Sequence, residues 1–265
     1  MQEKMRLSLC LFWLFAIISG CETTSPEVKL SASRIEKSLP QSKLAYYNDT
    51  FDKMREDLWS KAALVFTKGQ LSNFKLADMT IVNGRLKIET QRGSFSKGAL
   101  AFKYALRGDF DIQVDCHIDF SLGGVYDMDQ VAAFVAHEKG LDFKTINSAI
   151  VQAMKTPKWH RGKILSFQKK SGKSHPGESY EIGSFRGTFR IIRKGNKAST
   201  LYRLAGKAKW KELDTFSFTT NDVLVGFLLQ NFIPKRTSIT AETSITALFD
   251  NFRINAAQEI IEEEI

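Results

Sequence analysis

The chain has 265 residues, 43% hydrophobic with 20 Phe, and 25% charged. That composition supplies a large core and excludes a disordered or low-complexity polypeptide, while three cysteines exclude a disulfide-dense scaffold. The formal charge of +9 points to an acidic partner without naming any chemistry.

Lys4 and Arg6 precede Leu7 to Ile18, a run of 12 residues without charge. The run is too short to span a bilayer in the mature protein and reads as an export signal over residues 1–20. It ends in Ile18-Ser19-Gly20-Cys21, which resembles the bacterial lipobox: a branched aliphatic, two small residues and a cysteine. The resemblance implies cleavage before Cys21 and its acylation with palmitate-type chains, so that the lipid bilayer of the cell envelope is one partner. An ordinary secretory signal with an incidental cysteine is the alternative. Cys10 leaves with the signal and Cys21 is consumed, so Cys116 stays alone and is expected as a small buried hydrophobe. Residues 21–45 carry Ser, Thr, Lys, Pro26 and Pro40 with no apolar period, and read as a flexible tether.

From Tyr46 to Asn255 short strand signals recur and long helical periodicity is missing. Met79 to Val82 and Arg85 to Thr90 flank Asn83-Gly84, a dipeptide that supplies the positive φ angles of a tight hairpin. Lys97 to Leu106 is expected as a strand, and Arg107-Gly108-Asp109 as the turn after it. Phe110 to Phe120 alternates without a break. Phe110, Ile112, Val114, Cys116, Ile118 and Phe120 share one face, with Asp111, Gln113, Asp115, His117 and Asp119 on the other. Such a strand covers a core with one side and shows polar groups with the other. Gln130 to His137 and Ile146 to Met154 follow, and Thr188 to Arg193 pairs with Ala198 to Leu204 across Gly195-Asn196. Asp222 to Gln230 is nearly all apolar and is expected to be covered on both faces. Ile245 to Ile254 closes the body, and residues 256–265 read as a solvated acidic tail.

This pattern points to an all-β sandwich or barrel. Gly187 to Arg193 with Gly195-Asn196, Tyr202 and Trp210 resembles the meander of concanavalin A-like lectin/glucanase domains, including laminin-G-like bacterial ones. Asp49-Thr-Phe-Asp52 with Trp59, Val82 to Ile88, Gly108 to Asp111 and Phe249 to Ile254 are similar to the same superfamily, so the likeness spans residues 49–254. It implies a concanavalin A-like jelly-roll sandwich of two antiparallel sheets, and a carbohydrate ligand. It does not by itself separate lectins from hydrolases, lyases or adhesion modules.

Three clusters carry candidate chemistry. Asp115, His117 and Asp119 sit at i, i+2 and i+4 on one strand face, the spacing at which laminarinase-like hydrolases carry Glu-x-Asp-x-Glu. With Asp for Glu and His at the centre, the outer carboxylates converge less readily on one glycosidic bond, and a solvated face is the plain alternative. Lys155 to Lys211 holds sixteen Lys or Arg against Glu178 and Glu181. Within it Trp159, His160, Arg161, Lys169 and Lys170 are candidates for an anionic polysaccharide or envelope phosphate, with Trp159 expected exposed and Lys169 to Lys173 expected as a loop. Asp52 and Asp250 stand where the first and last strands meet, where domains of the resembled fold often hold Ca²⁺. No groove-reading motif is present and no nucleic acid is expected. Ser171-Gly-Lys-Ser174 lacks the first glycine of a phosphate loop, and His137-Glu138 lacks a second histidine. The expectation is an envelope-anchored, non-catalytic glycan-binding module, with a glycan hydrolase or lyase and a structural envelope protein as alternatives.

Overall fold

The computed structural model describes residues 35–61, 74–92, 95–120, 129–140, 147–156, 159, 161–170, 173–232 and 243–262. The export signal, Cys21 and His160 lie outside the described residues. In chain order the elements are α1 (Gln41–Tyr47), β1 (Trp59–Lys61), β2 (Phe74–Leu76), β3 (Asp78–Ile81), β4 (Leu86–Glu89), β5 (Phe95–Phe102), β6 (Tyr104–Asp119) and β7 (Asp129–Glu138). They continue with β8 (Ser148–Lys155), β9 (Gly162–Lys170), β10 (Lys173–Ile182), β11 (Phe185–Lys194), β12 (Lys197–Leu204), β13 (Lys211–Ser217), β14 (Val223–Phe232) and β15 (Thr246–Glu262).

The pairings make two leaves. One runs β10-β9-β8-β7-β14-β5, with β1 and β2 on the far side of β5. The other runs β13-β12-β11-β6-β15-β4-β3. They join where Val223 of β14 meets Leu106 of β6. Only the short β2–β5 pair is parallel among these strands. This is the concanavalin A-like jelly-roll sandwich that the sequence resembles.

The inward sides follow from period-two patterning. On β6, Phe110, Ile112, Val114 and Ile118 are fully buried and Cys116 nearly so, while β14 presents Val223, Val225, Phe227 and Leu229 from the opposite leaf. Phe227 is the hub of the core, with ring centroids of Trp59 and Phe249 each at 5.0 Å, Phe134 at 5.7 Å, and Phe51 and Phe252 at 6.0 Å. Asp49 fastens the entry of the chain: its carboxylate accepts from Phe51 N–H at 2.8 Å and Trp59 Nε1–H at 2.7 Å, and its backbone bridges Phe252. Burial pushes the Asp49 carboxyl above its usual range, and these two donors oppose the shift.

The expected hairpins are present. Asn83 and Gly84 take φ of 51° and 67° between β3 and β4, and Gly195 takes 55° between β11 and β12. Five expectations are corrected. Residues 41–45 are no tether, because α1 lays Leu44 into the core and Ile35 and Leu39 dock before it, with Leu39 N–H donating to Ala257 O at 2.8 Å. Residues 256–262 are no solvated tail, since β15 continues to Glu262 with Ala257 buried opposite Phe110. Arg107-Gly108-Asp109 is not a turn. The break falls at Lys103, and Gly108, with φ of 70°, is a kink inside a continuous strand, where Gln258 crowds the position a Cβ would take. Lys169 and Lys170 end a strand, β9, and Lys173 opens β10. β14 is covered fully on one face only, its Leu224 and Leu228 being half-buried.

Candidate functional site

The outward side of β6 is extended by β11 and β12 on one flank and by β15 and β4 on the other. Asp115 lies opposite Thr188 and Asp250, and His117 opposite Arg186 and Leu248. Thr188 in turn lies opposite Arg203 on β12. Between Asp250 and Arg253 the pairing slips, and Asn251 takes φ of 48°. Its side chain turns to Asp115.

The resulting network is specific. Asp115 Oδ1 accepts from Thr188 Oγ1–H at 2.6 Å, and Oδ2 accepts from Asn251 Nδ2–H at 3.1 Å. His117 Nε2 accepts from Arg186 Nε–H at 2.9 Å, and the same nitrogen lies 3.0 Å from Asp119 Oδ2. Farther along β6, Asp111 is held by Arg190 at 2.8 Å and by Asn255 Nδ2–H at 3.0 Å. Trp210, which follows β12, lies across this face with the guanidinium of Arg190 4.9 Å and that of Arg203 4.7 Å from its ring centroid. Each contact has the geometry of a cation–π pair.

Asp115 and His117 wall a cleft of about 470 Å³ together with Arg85, Arg186, Thr188, Arg203, Lys207, Asp250 and Asn251. Arg85 faces Asp250 at 3.7 Å. Arg186, Arg203 and Lys207 have no carboxylate within ion-pair distance among the described residues. Gly187 lets this wall close up, since a Cβ there would lie 2.1 Å from Arg203 O and 2.9 Å from the Phe185 ring. Cys116 forms part of the floor; burial drives its thiol well above the usual range, which makes it inert.

The other predicted residues are placed elsewhere. Ile164 and Ser166 of β9 point inward, Ser166 accepting from Thr200 Oγ1–H at 2.9 Å, so Lys163 and Lys169 point out from the opposite leaf. The basic stretch is therefore split between two outer faces of the sandwich. Trp159, expected exposed, is half-buried with Lys163 Nζ 4.7 Å from its ring centroid, while Arg161 and Lys170 are exposed. Arg186, Arg203 and Lys207, which build the cleft, are not distinguished by sequence pattern from the other cations of the basic stretch. Knowing that Arg186 pairs opposite His117 would have found one of them.

Asp52 and Asp250 do converge near the β3–β4 hairpin. Burial, and behind it the Asp115 and Asp52 charges, push the Asp250 carboxyl up, while Asn251 N–H at 2.7 Å and Arg85 oppose this. Two carboxylates with a guanidinium beside one of them fall short of the six to eight oxygens Ca²⁺ takes. Among the described residues no group of three or more His, Cys, Asp or Glu is placed to hold a metal ion.

Fold and cleft together define a concanavalin A-like sandwich with a cationic site on one outer face. No family model matches the chain, and no curated protein matches it in sequence. Among solved structures it is similar to a β-glucanase of Bacillus licheniformis, at 14% identity and a TM-score of 0.54 over 83% of this chain and 99% of that one. A pseudo beta-1,3-glucanase of Mycobacterium tuberculosis is similar at 10% identity and a TM-score of 0.54 over 82% and 98% of the two chains. The CBM2 module of the evolved Dit of Lactobacillus casei BL23 phage J-1 is similar at 7% identity and a TM-score of 0.51 over 79% and 95%. At these identities the likeness is one of fold.

Proposed function

We propose that the chain is an exported lipoprotein, anchored through acylated Cys21, whose sandwich binds an anionic polysaccharide without cleaving it. The observation that carries the reading is the cleft in which Arg186, Arg203 and Lys207 converge without carboxylate partners among the described residues. Uncompensated cations on a walled surface attract polyanions, and the guanidinium forks of Arg186 and Arg203 suit carboxylate or sulfate groups. Similar structures named as glucanases and as a CBM2 module support a sugar chain as the ligand.

Hydrolysis is disfavoured by chemistry. Asp115 and Asp119 start roughly 13 Å apart along the strand, as the outer carboxylates of the resembled hydrolases do, but each Asp reaches one methylene less far than Glu toward the about 5–9.5 Å between the carboxyl groups of glycosidase pairs. Both oxygens of Asp115 are already engaged by neutral donors. The anchor reading rests on the lipobox resemblance at Ile18 to Cys21.

A glycan array at two salt concentrations, with reducing-end release measured on every hit, tests the module. Salt-sensitive binding of acidic glycans without turnover is expected, because ion pairs weaken as the Debye length falls below about 10 Å. Turnover lost in Asp115→Asn or Asp119→Asn would make the protein an enzyme, and silence on every glycan would make it a structural envelope protein. For the anchor, labelling with a radioactive fatty acid should be lost in Cys21→Ala. Retained labelling would refute that part.

A further inference from the structure

His117 sits in a conflicted position. Its Nε2 lies 2.9 Å from a donor, Arg186 Nε–H, and 3.0 Å from an acceptor, Asp119 Oδ2. One nitrogen cannot serve both. With Arg186 Nε–H donating to Nε2, the neutral imidazole is the Nδ1–H tautomer, whose Nε2 lone pair also faces the Asp119 oxygen. Protonated imidazole carries Nε2–H, which donates to Asp119 and leaves Arg186 Nε–H without its acceptor.

We propose that His117 gates the cleft by protonation, holding Arg186 against the β6 strand when neutral and releasing it toward a bound anion when charged. This deepens the reading of the cleft as an anion site and rests on it. The proton goes to Nε2 from solvent, which the side chain reaches at 21% exposure. The released guanidinium joins Arg203 and Lys207, and the imidazolium adds a further positive charge to the same wall.

The groups facing His117 from each neighbouring element favour this exchange. On β6 itself Asp119 accepts the new bond, while Asp115 is saturated by Thr188 and Asn251 and does not compete. On β11 the neighbour is Arg186. On β15 it is apolar Leu248, with Asp250 two residues on and opposite Asp115. Lys87 on β4, opposite Leu248, is occupied by Glu89 at 2.6 Å. Across the cleft stand Arg85, Arg203 and Lys207, whose repulsion of a charged imidazole is relieved when an anion binds. Anion and proton therefore bind cooperatively.

Dextran sulfate affinity measured at constant ionic strength at about pH 5.5 and about pH 8 tests the gate. Binding should be roughly three- to tenfold tighter at the lower pH, the scale of one added charge a few ångströms from the anion. His117→Gln, whose Oε1 can still accept from Arg186 and which does not titrate, should bind equally at the two pH values. A His117→Gln protein that keeps the wild-type pH dependence would overturn the gate, as would a wild type with none. NMR of the ligand-free protein gives a second readout: the protection of Arg186 Nε–H, its exchange relative to the base-catalysed intrinsic rate at the same pH, should be present at the higher pH and lost at the lower one. Unchanged protection between the two pH values would also overturn the gate. The underlying anion reading fails separately, if Arg203→Ala with Lys207→Ala leaves dextran sulfate affinity unchanged at both pH values.

Discussion

Among the described residues Arg193 is the largest fully buried side chain, and its removal is the sharpest test of how β6 and β11 are held together. Its guanidinium meets carbonyls rather than a carboxylate. Nε–H donates to Gly108 O at 2.6 Å, one terminal nitrogen donates to Asn221 O at 2.6 Å and Thr219 O at 3.5 Å, and the other to Leu106 O at 3.3 Å and again to Gly108 O. The group also lies 4.8 Å from the centroid of the Phe110 ring. Burial pulls its pKa down to about 10, against the supporting charges of Asp109 and Asp222, so the side chain stays charged at neutral pH. The positive φ of Gly108 turns a carbonyl inward to receive it. Arg193→Ala leaves four carbonyls without their donor, and at about 1 kcal/mol each the loss is about 4 kcal/mol. Arg193→Lys keeps the charge but offers one nitrogen for the four acceptors, and should lose about 2 kcal/mol. Urea unfolding with an unchanged slope reads both values. If Arg193→Ala falls within about 1 kcal/mol of wild type, the guanidinium is not what fixes the kink and the reasoning is refuted.

Strand β6 makes a second prediction: Phe110→Ala, in a fully buried position, should cost about 3–5 kcal/mol, and Gln113→Ala on the polar face of the same strand under about 1 kcal/mol, as read by thermal melts. Equal shifts would remove the two-faced strand. A third concerns Gly187, where the Cβ of Gly187→Ala would meet Arg203 O and the Phe185 ring. It should destabilise by about 1–3 kcal/mol or more and weaken polyanion binding beyond what the stability loss explains, since Arg186 and Arg203 would move apart. A variant with wild-type melting and binding would show that the close approach is unimportant.

Much of this fold is legible in the sequence where hydrophobic period and turn chemistry agree. Phe110 to Phe120 and Asn83-Gly84 satisfy both, and they land as read. The departures come where tertiary contacts override local signals. Helix α1 has no side-chain cap, and its buried face amounts to Leu44, so nothing in its composition separates it from a tether. The end of β15 is acidic, yet it is kept in the sheet by pairing with the first half of β6. Gly108 carries a turn residue's dihedral inside a strand because Arg193 collects its carbonyl, a partnership 85 residues apart. The candidate site was half legible. Asp115 and His117 were visible from alternation, but the charge run between Lys155 and Lys211 conceals that β9 and β11 belong to opposite leaves. Only sheet topology sorts Lys163 and Lys169 from Arg186 and Arg203.

The measurement that bears most directly on the account is a face-against-face comparison of polyanion affinity. Titration of an acidic polysaccharide into wild type, into Arg203→Ala with Lys207→Ala, and into Lys163→Ala with Lys169→Ala removes two cations from each outer face in turn. The account predicts a loss of at least about tenfold for the first pair, on the scale of 1.4 kcal/mol, and little change for the second beyond general screening. Equal losses, or a larger loss from Lys163 and Lys169, would contradict it and move the binding surface to the opposite leaf.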